Sequence, residues 1–192
     1  MNPANVEQLV GSVAGRVVTS EDTDYDEVRS LWNGMIDRRP QVIVQCGKAE
    51  DAIPAIHYAR ERGLPLAIRG AGHNIAGNAM CDDGVVIDFS ELRSVSVDAD
   101  DRRVIIEPGA TLGDIDAATQ PHGLAVPMGI NSTTGVAGLT LGGGFGWLTR
   151  RHGMTVDNLL AANVVLASGE QVRASTDENP ELFWALRGGG GN

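Results

Sequence analysis

Cysteine is scarce in this chain, with two residues in 192, Cys46 and Cys81. The pair allows a disulfide without demanding one, and no spacing suggests a metal site; both read as plain buried thiols. Basic residues are also in deficit, 15 Lys and Arg against 25 Asp and Glu, for a net charge of −10. That balance argues against a nucleic-acid partner, because phosphate binding needs a basic surface. Long apolar runs are missing too: none approaches the roughly 20 residues that cross a bilayer. The first ten residues carry Glu7 and no basic residue before their short apolar stretch, unlike a secretory leader. The expectation is a soluble, cytoplasmic protein without a membrane partner, long enough to bury a real core.

Glycine is what the chain has in excess: 25 residues, roughly twice the average share. They concentrate in Gly70 to Gly77, Gly129 to Gly146 and Gly188 to Gly191. Glycine clustered between hydrophobic segments marks backbone that must adopt positive φ or lie close against something.

The hydrophobic pattern between the clusters is mixed α+β. A helix is expected over about Asp24 to Asn33, with Val28, Leu31 and Trp32 on one face. Val42-Ile43-Val44 reads as a strand, Lys48 to Arg62 as a helix stopped by Gly63, and Leu66-Ala67-Ile68 as the next strand. Pro54 suits that helix only in its first turn. Such a strand–helix–strand unit favours parallel pairing of its two strands. Val85-Val86-Ile87 is a buried strand, and Val95 to Val97 with Arg103 to Ile106 form a hairpin about Asp98–Asp101. Helices follow at Leu112 to Thr119 and, beginning at Asn179-Pro180, through Leu186. Ala162 to Ala167 and Gln171 to Ala174 make a second hairpin around Ser168-Gly169.

Arg69-Gly70-Ala71-Gly72-His73-Asn74-Ile75-Ala76-Gly77 follows a strand directly. Such a turn can point its N–H groups outward together, a nest for phosphate oxygens, with Arg69 adding charge. The spacing matches a dinucleotide fingerprint only loosely, since the third glycine comes late. Read by itself, the segment also suits a structural turn. His73 stands on no apolar face, which favours a functional role; His57, His122 and His152 read as surface or structural residues. In the second stretch, Asn131, Ser132, Thr133 and Thr134 with Gly135, Gly138 and Gly142 offer donors to phosphates and hydroxyls. Loops of such length without function are uncommon. Two other readings stay open on these residues: a non-catalytic nucleotide- or anion-binding module, and an NAD-binding Rossmann domain. The latter requires a long helix just after Gly77 and an acidic residue ending the next strand, for which Asp88 is available.

Five ordered motifs carry a family resemblance: Ile68-Arg69-Gly70-Ala71-Gly72-His73-Asn74, Val86-Ile87-Asp88-Phe89-Ser90, Gly138 through Gly146, Asp157-Asn158-Leu159, and Leu186 through Asn192. The sequence resembles the FAD-binding domain of the vanillyl-alcohol oxidase and p-cresol methylhydroxylase (PCMH) superfamily. Within it, the chain is most similar to the bacterial berberine bridge enzyme-like FAD-linked oxidoreductases. The resemblance implies a PCMH-type domain over residues 38–192, preceded by an N-terminal helical segment (1–37), with FAD between two α+β subdomains. It implies that FAD is bound covalently, its 8α-methyl carbon linked to His73. Arg69, Gly70, Ala71, Gly72, Asn74 and Gly77 would attend the pyrophosphate. Asn131, Ser132, Thr133, Gly135, Gly138 and Gly142 would meet the cofactor through the second loop, and Val165 the adenine side. The implied reaction passes hydride from a small organic substrate, such as an alcohol, sugar, phenol or polyketide, to the flavin, with oxygen as a candidate acceptor.

Two departures stand out. Many relatives attach the flavin a second time through a cysteine in the second loop, and the alignment puts Asn131 there; a single tether through His73 is expected. Relatives also continue past the equivalent of Asn192 into a substrate domain that supplies the catalytic base. The chain is therefore expected to be a fragment or truncated product, inactive alone, with no catalytic residue of its own. Association through apolar surface left bare around the flavin is expected as well.

Overall fold

The computed structural model describes residues 3–188. Its contacts divide it into two units, one running to Leu92 and including Val165–Glu170, the other comprising Arg93–Val164 and the residues from Gln171 on.

The first unit contains α1 (Pro3–Val10), β1 (Arg16–Val18), α2 (Tyr25–Val28), β2 (Val42–Gln45), α3 (Ala52–Arg62), β3 (Leu66–Arg69) and β4 (Val85–Asp88). Its sheet has the order β1-β2-β4-β3. β4 runs parallel to both β2 and β3, and β1 antiparallel to β2. The two strands flanking α3 are thus parallel, as expected, but not paired: β4 lies between them. The reason is burial. All four residues of β4 are buried, whereas Leu66 and Ile68 of β3 are exposed. The strand apolar on both faces takes the centre and the half-exposed one takes an edge.

Alternation sorts the core onto the two faces of this sheet. Val42, Val44, Val85 and Ile87 pack with Leu9 and with Ala52, Ala55, Ile56 and Ala59 of α3. Ile43, Ala67 and Val86 pack on the other side with Val18, Tyr25 and Met80. The helix expected from residue 48 begins as a 3₁₀ turn (Ala49–Asp51), which puts Pro54 in the first turn of α3. Its end is the left-handed Gly63, φ +62°. Asp51 ties the N-terminal stretch to this turn: its buried carboxylate accepts from the N–H groups of Ala14, Gly15, Gly47 and Lys48 at 2.8–3.3 Å. Four backbone donors outweigh the opposing effect of burial and hold the carboxyl below its ordinary range.

Two expectations for the N-terminal stretch are corrected. The stretch to residue 37 carries β1 as well as helices, and the helix over residues 24–33 shrinks to α2. Past α2 the chain leaves helical geometry to bond with a distant loop, with the N–H of Trp32 donating to Gly72 O at 3.3 Å. Tertiary bonding overrides a short local period.

The second unit contains β5 (Val95–Asp98), β6 (Arg103–Ile106), α4 (Leu112–Thr119), α5 (Val136–Leu141), α6 (Thr149–His152), β7 (Ala161–Val165, its last residue counted with the first unit), β8 (Gln171–Ser175) and α7 (Pro180–Leu186). β5 and β6 form the expected antiparallel hairpin, and β7 and β8 a second two-stranded sheet. Thr111 and Asp114 form a capping box at the start of α4. The core joins Ala110, Leu112, Ile115, Met128 and Val136. The second glycine stretch is not continuous loop: α5 forms inside it because Val136 and Leu139 pack on this core. The third glycine cluster is described only at Gly188; Gly189 to Asn192 lie outside the described residues. Cys46 and Cys81 are free thiols. Among the described residues no helix is long and apolar enough to cross a membrane.

Candidate functional site

β2, β4 and β3 end together at Gln45, Asp88 and Arg69, which share one register position. Ligands of open parallel sheets gather outside such carboxyl ends. The loop that continues from Arg69 turns on Gly72 (φ +71°) and Gly77 (φ +77°), a conformation costly to residues with a side chain. The N–H of Gly77 donates to Asn74 O, and the Asn74 side chain accepts from Asn78 N at 3.0 Å, closing the loop on itself. Among the described residues, the N–H groups of Gly70, Ala71, Gly72 and Asn74 donate to no acceptor of the chain. Unused donors on a strand-to-loop turn fit an anionic ligand such as a pyrophosphate. Among the described residues no helix occurs between Gly77 and β4, where a Rossmann unit requires a long one.

Arg69 lies differently from a phosphate-facing cation. Its side chain is 16% exposed and turns back into the unit, where a guanidinium N–H donates to Val28 O. Its Nε lies 3.8 Å from Oδ1 of Asp88, whose side chain is buried. Burial pushes the Asp88 carboxyl up, and the Arg69 charge pulls the other way. Asp88 also accepts from Ser90 N at 3.0 Å.

His73 stacks on Trp32, with ring centroids 4.5 Å apart and planes 16° from parallel. Two backbone-directed bonds bracket this contact: Trp32 N to Gly72 O, and Asn33 Nδ2 to Ile75 O at 2.9 Å. The sequence pattern assigned Trp32 to a helix face and missed this contact, since no local period links it to His73.

In the second unit, Asn131 Oδ1 accepts from Thr133 N at 3.1 Å and from Thr133 Oγ1 at 2.9 Å, so its side chain folds onto its own loop. Ser132 O accepts from Gly113 N. Gly135 bridges Thr111 and precedes α5, Gly138 lies within α5 with open space where a Cβ would stand, and Gly142 ends the helix. Gly146 leaves no room for a side chain: a Cβ would sit 1.7 Å from Met128 O. The first unit therefore gathers Arg69 through Gly77, and the second Asn131 through Gly142. Val165 ends β7 and is counted with the first unit, its side chain packed on the core there. His57, on α3, contacts Ser168 O through Nε2 at 3.2 Å.

A glycine loop with spare donors at the carboxyl end of a parallel sheet, carrying a histidine, defines a nucleotide-cofactor domain. Residues 40–175 match the family model described as an FAD binding domain, and the chain belongs to that family. Its fold is the PCMH-type α+β fold expected from the five motifs, in the berberine bridge enzyme-like branch. The chain is 39% identical over 183 residues to an uncharacterized FAD-linked oxidoreductase of Bacillus subtilis, covering 93% of this chain and 41% of that protein. It is 38% identical to (R)-6-hydroxynicotine oxidase of Paenarthrobacter nicotinovorans, covering 94% of this chain and 40% of that one. Among solved structures it superposes with a TM-score of 0.90 and 30% identity on glucooligosaccharide oxidase of Acremonium strictum, covering 97% of this chain and 40% of that one. That oxidase is described with a 6-S-cysteinyl, 8α-N1-histidyl FAD. The chain thus spans about 40% of the length of the relatives it matches.

Proposed function

We propose that this chain is the cofactor-holding portion of an FAD-linked oxidoreductase, with FAD bound covalently through His73. The observation that carries the reading is the placement of His73 in the Arg69–Gly77 loop, directly after spare backbone donors at the end of β3. The histidyl-linked FAD of the similar glucooligosaccharide oxidase supports it. Gly70, Ala71, Gly72, Asn74 and Gly77 hold the pyrophosphate through this loop. Ser132, Thr133, Gly135, Gly138 and Gly142 contact the cofactor from the second loop, and backbone groups at Val165 meet the adenine side. Arg69 acts from behind the loop. The PCMH-type domain is assigned to residues 38–192.

Bound FAD supplies a two-electron acceptor for hydride from a small organic substrate, the class to which nicotine derivatives and oligosaccharides of the similar oxidases belong. In tethering it, His73 contributes a nitrogen lone pair to a new N–C bond at the 8α carbon and gives up its N–H proton. The balance of such a link would be a second proton from the 8α-methyl group and two electrons, taken up with both protons by molecular oxygen as hydrogen peroxide. Neutral imidazole suits this role near pH 7. Asn131 stands where a second, cysteinyl tether would be, and its amide is engaged with Thr133; the proposal is one covalent bond. Oxygen serves as electron acceptor in turnover. A cytoplasmic location is part of this proposal.

The test is a denaturing gel viewed under ultraviolet light, with intact mass, for wild type and His73→Ala. A fluorescent band heavier by one FAD in the wild type alone is the expected result. A dark wild-type band with FAD released into the supernatant overturns the tether, and no FAD in either fraction overturns the cofactor reading in favour of a plain anion-binding module.

A further inference from the structure

Trp32 is 59% exposed, yet its segment is tied to the glycine loop by specific contacts. Its own N–H donates to Gly72 O, and the side chain of the next residue, Asn33, donates to Ile75 O. Leu31, just before it, lies against Gly72: a Cβ on that glycine would come 3.2 Å from Leu31 Cδ2. Three consecutive residues of the segment after α2 thus grip the loop on both sides of His73. The indole at their centre lies nearly parallel to the imidazole, at the short end of aromatic stacking distances. Core packing does not account for a mostly exposed tryptophan fixed this way against a polar ring.

We infer that Trp32 is the positioning residue for the flavin tether, holding the His73 ring in the orientation from which its nitrogen forms the N–C bond. The inference rests on the His73 reading above and adds a second residue to it. An sp³–sp² torsion such as histidine χ2 has broad, shallow wells, so an imidazole on a loop samples many orientations. A flat partner on one face removes most of them without itself covering the ring edge, where both nitrogens lie. Bond formation needs the lone pair aimed at the carbon across about 3–3.5 Å, and a misplacement near 1 Å can cost on the order of 100-fold in rate.

The experiment starts from the flavin-free chain and adds FAD in air, following covalent incorporation by in-gel fluorescence and intact mass. Wild type is compared with Trp32→Ala, Trp32→Leu and Trp32→Phe. At saturating FAD, Ala and Leu are expected to slow the covalent step about tenfold, and Phe to keep it within about threefold, because only Phe restores a flat face. The dissociation constant for FAD before linkage, read by flavin fluorescence, stays within about twofold in all three, since a positioning residue does not contribute to affinity. NMR of the flavin-free chain gives an independent readout: an upfield ring-current shift of His73 Hε1 in wild type and Phe, absent in Ala and Leu. Wild-type rates in Ala or Leu overturn the inference, as does a loss of FAD affinity that matches the loss of rate, or a wild-type His73 without the ring-current shift. Should Ala fail to fold, the Leu and Phe pair decides the question alone. Wild type that never acquires covalent flavin overturns the tether itself, a result distinct from equal tethering by wild type and the Trp32 variants.

Discussion

Arg69 and Asp88 face each other at the last register position of β3 and β4, Nε 3.8 Å from Oδ1, with Asp88 buried. Burial raises the Asp88 carboxyl and Arg69 moderates that rise. A carboxyl whose folded pKa is raised binds more protons folded than unfolded, so its contribution to stability falls as pH rises from the unfolded value through the folded one. Arg69→Met removes the moderating charge and widens that window. Urea denaturation from pH 5 to 8 should show the variant losing stability with rising pH by up to about 1.4 kcal/mol per unit more than wild type. Parallel curves for the two proteins would refute the coupling.

Asp51 behaves in the opposite sense. Its folded pKa is depressed, because four backbone N–H groups outweigh its burial, so its stabilisation is fully present above about pH 4 and disappears as pH falls through the folded value. Asp51→Ala strands those donors and should cost on the order of 3 kcal/mol at pH 7. The gap to wild type should close in acid. A variant within about 1 kcal/mol of wild type at pH 7, or a gap unchanged near pH 3, counts against this role.

Gly77 combines a left-handed backbone with a close neighbour: φ is +77° and a Cβ would lie 2.8 Å from Ile36 Cγ2. Gly77→Ala should cost about 1–2 kcal/mol for the backbone alone, with crowding added. Gly34→Ala is the matched control, since nothing lies within 4 Å of its Cβ position; it should change stability by less than about 0.5 kcal/mol. Equal denaturation midpoints for the two variants would show that the loop relaxes freely.

The two thiols should be quiet. Burial, with Asp51 and Asp88 nearby, pushes the Cys46 thiol up to about 12, and burial also raises half-buried Cys81. With Ellman's reagent at pH 8 the native chain should show no rapid phase, and both thiols should react once it is unfolded. Modification of either within seconds in the native state would contradict the packing described.

What the sequence made legible was whatever depends on local pattern. The apolar runs of β2 and β4, the stop at Gly63 and the turn around Ser168-Gly169 all formed where expected, and His73 stood out because glycines on a strand end leave a histidine no core to serve. What escaped was decided by distant partners. Trp32 left its helical period to bond Gly72, β4 entered between two strands that looked like neighbours, and α5 formed among glycines because Val136 found a core. Arg69, read in the sequence as adding charge for phosphate oxygens, turned inward to Val28 and Asp88. Such pairings depend on the fold as a whole, and no short window contains them.

β1 has a consequence for handling the protein. The family model begins at residue 40, but β1 covers the outer edge of β2, held from behind by Asp51 through Ala14 and Gly15. A chain started at the family boundary would present Val42–Gln45, an apolar strand with open backbone groups, as a template for other copies. Three residues lying outside the span of that model close the edge along which its sheet could otherwise grow into its neighbours.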